Sequence, residues 1–211
     1  MNRPALLLAL VIALPSGSCA PRARPLSGAP TPARLPAAEL PAGHQRMLFR
    51  WQFRDGDVLA RGEGVARVAA PDSVRLDLFL DGGLGGGYAV VIGDQIFAPG
   101  GDAIRRYLPP APLLWATLGR LAVPDAADTT ARVDGDVLRA DIGSRPTWRV
   151  TFDGARLARL ERIEDGRLVE SVERRDGGAV RYEHPLSQRV LTLDITGTEK
   201  ASDFDAAIWR H

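Results

Sequence analysis

From His44 onward the chain alternates apolar and polar residues with a period of two, and this period limits the possible folds more than any other feature. Met47, Phe49, Trp51 and Phe53 fall on one face while Arg50, Gln52 and Arg54 fall on the other, the pattern of a half-buried strand. After the turn Asp55-Gly56-Asp57, the segment 58–68 places Ala60, Gly62, Gly64 and Ala66 on a single face, where small residues let another group approach closely. Val74, Leu76, Leu78 and Leu80 repeat the alternation, and 88–92 with 95–98 read as a hairpin across Gly93-Asp94. Further strands are predicted at 131–134, 137–142, 148–152, 157–163, 168–174, 180–183 and 190–195. Their links, such as Asp153-Gly154 and Asp165-Gly166, are hairpin turns, because Asp-Gly tolerates positive φ. Ten or more short antiparallel strands predict a mainly β fold, one large curved sheet or barrel. Helix is confined to the middle: a turn or two at 102–107, and a short helix at 112–119 with proline near its start and glycine at its end.

Composition narrows the class of function. A chain of 211 residues with 45% hydrophobic content has enough apolar surface for one soluble domain, which excludes a disordered chain. Only residues 4–15 form a continuous apolar run, short of the ~20 needed to span a bilayer as a helix. The net charge is +1, with Asp and Glu interleaved among the arginines, so there is no electrostatic footprint for nucleic acid. His44, His184 and His211 stand at segment edges without metal spacing, and the lone Cys19 cannot form an internal disulfide or a Cys-based zinc site. The glycine loop 82–87 runs into a strand-like segment, whereas a phosphate-cradling loop must open a helix. A Gly-x-Ser-x-Gly elbow is absent too. The expectation is a non-enzymatic protein with no catalytic residues, no metal and no cofactor.

The N-terminus reads as an export signal: Met1-Asn2-Arg3 is a short basic region, 4–14 an apolar one, and Pro15 to Ser18 a breaker with small residues. Cys19 behind Gly17-Ser18 resembles the lipobox of bacterial lipoproteins, whose cysteine is acylated after cleavage. The alternative is ordinary cleavage, leaving Cys19 a free thiol. Residues 20–43 are rich in proline and lack apolar periodicity, the composition of a linker reaching between roughly 27 Å as a coil and roughly 75 Å as a rod. The expected partition is therefore a signal peptide at 1–18, a lipidated cysteine and tether at 19–43, and a β domain at 44–211.

Signal, lipobox-like cysteine, proline-rich tether, strands, a short Trp-containing helix and further hairpins, in that order, resemble the LolA/LolB group of bacterial lipoprotein-sorting proteins, closest to its LolB acceptor branch. The resemblance is carried by Arg75-Leu76-Asp77-Leu78-Phe79-Leu80 leading to a loop with Leu84, by the helix at 112–119, and by Leu191-Thr192-Leu193-Asp194-Ile195. It implies an unclosed half-barrel with short helices as a lid, and an apolar concave face that takes the acyl chains of lipoproteins. It further implies a monomeric lipoprotein on the periplasmic face of the outer membrane, palmitoylated at Cys19, with outer-membrane lipid and a periplasmic LolA-like carrier as partners. Phe49, Trp51, Leu76, Leu78, Trp115 and Leu118 are the candidate cavity residues, in a space of several hundred cubic Å. A plain core accounts for the same residues equally well. Leu84, the one bulky side chain between Asp81 and Tyr88, is either a membrane-touching tip or a leucine folded back on the sheet edge. The other functional reading is an envelope sensor or scaffold of the same fold, binding a protein partner or lipopolysaccharide.

Overall fold

A computed structural model describes residues 20–32, 34–83, 85–99 and 102–210; Cys19 and Leu84 lie outside the described residues. After a two-residue strand β1 (Ala29–Pro30), the chain makes a meander of β2 (His44–Asp55), β3 (Val58–Ala69), β4 (Ser73–Leu80), β5 (Gly86–Ile92) and β6 (Gln95–Phe97). Two short helices follow, α1 (Asp102–Arg105) and α2 (Ala111–Leu118). A second meander contains β7 (Thr129–Asp134), β8 (Val137–Ile142), β9 (Thr147–Asp153), β10 (Arg156–Glu164), β11 (Arg167–Arg174), β12 (Ala179–His184) and β13 (Arg189–Ala201). All thirteen strands join one antiparallel sheet in the order β1-β7-β8-β9-β10-β11-β12-β13-β2-β3-β4-β5-β6. The fold is mainly β and the sheet does not close.

The two meanders become one sheet because the last strand pairs with the first long one, with Leu191 opposite Phe53, Leu193 opposite Trp51 and Ile195 opposite Phe49. Register shifts between Ile195 and Gly197, between Leu157 and Arg159, and between Arg162 and Ile163 bend the sheet. Beyond the first of these β13 continues to Ala201, further than the 190–195 read from alternation, because its polar end pairs with the equally polar start of β2. The connection from β6 to β7 must travel from one edge of the sheet almost to the other, and it does so with α1 and α2 over the concavity. Helix α2 is apolar on every side, and Leu113, Leu114, Trp115 and Ala116 are all buried, as such a helix requires.

The outer face carries the charges. Arg50 faces Asp194, Arg149 faces Asp141 and Arg159 faces Glu173 as directly opposed cross-strand partners, and each pair is bonded.

Within the proline-rich segment read as a linker, residues 20–31 lie against the sheet. Ala23 N–H donates to Gly166 O at 2.9 Å, Leu168 N–H to Pro21 O at 2.9 Å, and Thr31 N–H to Ala131 O at 3.1 Å. Proline removes backbone donors but keeps carbonyl acceptors, and arginines of the sheet fill them: Arg132 donates to Gly28 O at 2.9 Å, Arg167 to Ala20 O at 3.2 Å, and Arg149 to Arg24 O. The chain then returns over the core, where Ala38 is buried and its carbonyl accepts from Leu121 N–H at 2.9 Å.

Candidate functional site

Between α2 and the strands β2, β4 and β13 lies a cleft with almost wholly apolar walls. The sheet supplies Met47, Phe49 and Trp51 from β2, Leu76 and Leu78 from β4, and Leu191, Leu193 and Ile195 from β13. Period-two alternation turns all of them to the concave side, and the β13–β2 pairing makes two of these rows adjacent. Across from them stand Tyr107, Leu108 and Pro109 from the connection, then Leu114, Thr117 and Leu118 from α2. Residues 114, 117 and 118 share one helical face, so the helix offers the cleft a stripe of side chains.

Of the six residues singled out from sequence, Phe49, Trp51, Leu76, Leu78 and Leu118 meet at this cleft. Trp115 does not line it. It stands about 100° further round the helix from Leu114, with Nε1 donating to Gly93 O in the β5–β6 turn at 2.6 Å and the Arg120 guanidinium 4.7 Å over the ring. Trp115 thus fastens the lid to the far edge of the sheet. The other end of the helix is held by Arg174, which reaches inward from β11 and donates to Thr117 O. A cation there complements the unpaired carbonyls of a helix end. Burial, and then the nearby Arg156 charge, lowers the Arg174 pKa.

Sequence reasoning missed Tyr107, Leu108 and Pro109, which carry no periodic pattern. The β13 residues were visible as a strand, but their position beside β2 was not.

The cleft is nearly closed. Its volume is about 40 Å³. The several hundred cubic Å expected from the sequence are not there, because Tyr107 occupies the space. Its ring stands edge-on to Phe53 at 4.9 Å and tilted against Trp51 at 5.6 Å. Two glycines permit this tight fit. A Cβ on Gly64 would lie 2.3 Å from Phe49 Cζ, and one on Gly87 would lie 2.6 Å from Ile104 Cδ1.

A second recess lies on the other side of Leu108 and Pro109, with a volume of about 460 Å³. Its lining includes Arg105, Arg106, Arg162, Glu170, Tyr182, His184 and Arg189. Glu170 is buried between Tyr182 Oη, which donates to it at 2.7 Å, and Arg162, which donates at 2.9 Å. Burial, reinforced by Glu170, raises the Tyr182 pKa far above its usual value. Arg189 donates to Asp55 at 2.9 Å, and Arg162 also pairs with Glu164. Among the described residues, no group of three or more His, Cys, Asp and Glu side chains is placed to hold a metal ion, and no helix is long and apolar enough to cross a membrane.

No protein-family model matches this sequence, and no curated protein matches it. Solved structures do. A LolA superfamily protein from Nitrosomonas europaea superimposes with a TM-score of 0.56 at 11% sequence identity, covering 82% of this chain and 93% of that one. A Vibrio parahaemolyticus domain provisionally described as an outer membrane lipoprotein-sorting protein gives 0.47 at 9% identity, over 82% of this chain and 92% of that one. A DUF1329 family protein from Desulfovibrio piger gives 0.45 at 12%, over 81% and 90%. At such identities the likeness is one of fold alone: this chain's unclosed antiparallel sheet, with short helices across its hollow face, resembles the fold of the Nitrosomonas europaea LolA superfamily protein.

Proposed function

We propose that this chain binds acyl chains of lipoproteins between lid and sheet, and helps to accept or insert lipoproteins at the periplasmic face of the outer membrane. The observation that carries this reading is the cleft itself, a seam of apolar side chains with only about 40 Å³ between its walls. Its two sides come from separate elements, and hydrocarbon can replace the contacts they make with each other. Each buried methylene contributes about 0.8 kcal/mol, so eight of them offset roughly 6 kcal/mol of lid opening. The LolA-type fold supports the same reading. In this proposal a lipid on Cys19 anchors the chain, Leu84 touches the bilayer, and a periplasmic LolA-like carrier delivers the cargo to a monomer.

Purification without detergent, native mass spectrometry and displacement of a fluorescent acyl probe test the proposal. Co-purifying acyl mass and saturable probe binding are expected, with binding lost in a folded Leu78→Arg variant. A folded wild type that neither carries acyl mass nor binds the probe overturns it, and favours an envelope sensor that binds a protein partner. For the membrane step, Leu84→Glu is expected to leave the Tm unchanged while lowering liposome association. A large drop in Tm would assign Leu84 to the core.

A further inference from the structure

Following the concave face along β13, the inward residues run Arg189, Leu191, Leu193, Ile195, and on the adjacent β2 they run Asp55, Phe53, Trp51, Phe49. The face is therefore polar at one end and apolar at the other. Strands β10 to β12 continue the polar end with Arg162 opposite Glu170, and with Tyr182 and His184. One cross-strand step further along, Leu160 opposite Val172 is apolar and buried. The charges at this end are paired, as their burial requires.

The recess at this polar end adjoins the cleft, because Leu108 and Pro109 belong to the walls of both. Its charges are unequal. Arg162 is matched by Glu170 and Glu164, and Arg189 by Asp55. Arg105 and Arg106 have no carboxylate partner among the described side chains, and Arg105 donates to Ile96 O at 3.1 Å. His184 Nδ1 accepts from Ser187 N–H, which leaves Nε2 as the ring's donor. Donors therefore outnumber acceptors in a roomy site beside an apolar slot.

We propose that this recess holds the phosphate of an anionic amphiphile whose hydrocarbon lies in the neighbouring cleft. Arg105 and Arg106 supply exposed positive charge at its rim, and Arg162, Tyr182 and Arg189 form a fixed polar floor. The inference rests on the acyl-binding reading and adds the class of headgroup. The position of the recess agrees with a lipid source for the phosphate. Arg162 stands two residues, roughly 7 Å, from the end of β10 at the β10–β11 turn where residues 20–23 dock, next to the cysteine proposed to carry the anchor.

The test uses the full chain and three competitors of a neutral fluorescent acyl probe: a short-chain phosphatidic acid, the diacylglycerol with the same chains, and inorganic phosphate. Phosphatidic acid is expected to compete about tenfold better than diacylglycerol, the scale of one charge-assisted contact. That preference should shrink as salt is raised. Arg105→Gln/Arg106→Gln should abolish the preference while leaving diacylglycerol binding unchanged, and a matching Tm would show that the variant is folded. Equal competition by the two lipids in wild type, or a preference that survives the double substitution, overturns the headgroup site and leaves acyl binding intact. Phosphate binding with no lipid dependence overturns the amphiphile and points to a free anion. If no lipid competes and the probe itself does not bind, the acyl reading fails first and the headgroup site with it.

Discussion

Strands β7–β12 and strands β2–β6 face the same helix across the same hollow, yet only the second half, with β13, walls the cleft. Ala140, Val150, Phe152 and Leu160 have no exposed surface, and α2 rests on β10, β11 and β12. On the other half Met47, Phe49, Leu76 and Leu78 retain 6–8% exposure and border the cleft. The difference lies in residue size as well as position. The half facing the cleft places Gly62, Gly64 and Ala66 in the centre of its concave row, so Phe49 lies close over Gly64 while Trp51 and Phe53 pack against Tyr107. The lid is fastened to both halves, by Arg174 from β11 and by Trp115 at the β5–β6 turn, and the cleft opens on the second half only.

Core truncation separates the halves most strongly. Phe152→Ala removes a ring packed on all sides and is expected to cost about 3–5 kcal/mol, with a residual cavity. Leu118→Ala removes a half-buried side chain that already borders a gap, and is expected to cost about 1 kcal/mol. Urea denaturation of both variants measures the contrast. Equal losses would mean that the cleft is ordinary core, and a loss of acyl-probe binding confined to Leu118→Ala would sharpen the division of labour.

A smaller effect distinguishes the two ends of the concave face. Tyr182 keeps its proton in the folded protein to a higher pH than in the unfolded chain, because burial and Glu170 both oppose the phenolate. A group whose pKa is raised by folding contributes stability that is complete below its unfolded pKa and declines above it. Stability should therefore fall above about pH 10 by up to roughly 1.4 kcal/mol per pH unit from this residue. Tyr182→Phe should remove that part of the slope. An unchanged slope would show that the Tyr182–Glu170 contact does not persist in solution.

Most of the architecture was legible because it depends on local chemistry. Alternation marked the inward faces of β2 and β4, Asp-Gly marked the hairpins, and Pro112 with Gly119 bracketed the lid helix. What escaped depends on long-range pairing. Nothing local says that Leu191 sits opposite Phe53, so the cleft could be read from two of its three walls only. The bulges in β10 break its alternation, and Arg162 and Glu170 are then indistinguishable in sequence from outward charges. The contacts of residues 20–31 with the sheet were not legible for a different reason: proline content signals a lack of self-pairing, but not a lack of acceptors. In a chain whose basic residues are arginines apart from Lys200, acceptors find donors.

That last point divides the ion pairs of the outer face. Arg149 is 13% exposed, holds Asp141 in two contacts of 2.7 and 2.9 Å, and also donates to Arg24 O in the docked segment. Arg149→Ala is expected to cost about 1–2 kcal/mol and to expose residues 20–30 to limited proteolysis, with the cut sites read by mass spectrometry. Cleavage no faster than in wild type would mean that the segment is held by its backbone bonds alone.

Arg50 and Asp194 form an equally direct cross-strand pair at 2.8 Å, yet their side chains are 66% and 48% exposed and nothing else depends on them. Water and salt screen such a pair, and ordering two long side chains offsets much of what remains. Arg50→Ala should therefore change stability by less than about 0.5 kcal/mol, and by less still in high salt, with no change in proteolysis. If it proved as damaging as Arg149→Ala, the outer charges would be a cooperative network, and the distinction between arginines that fasten a segment and arginines that only face one another would fail.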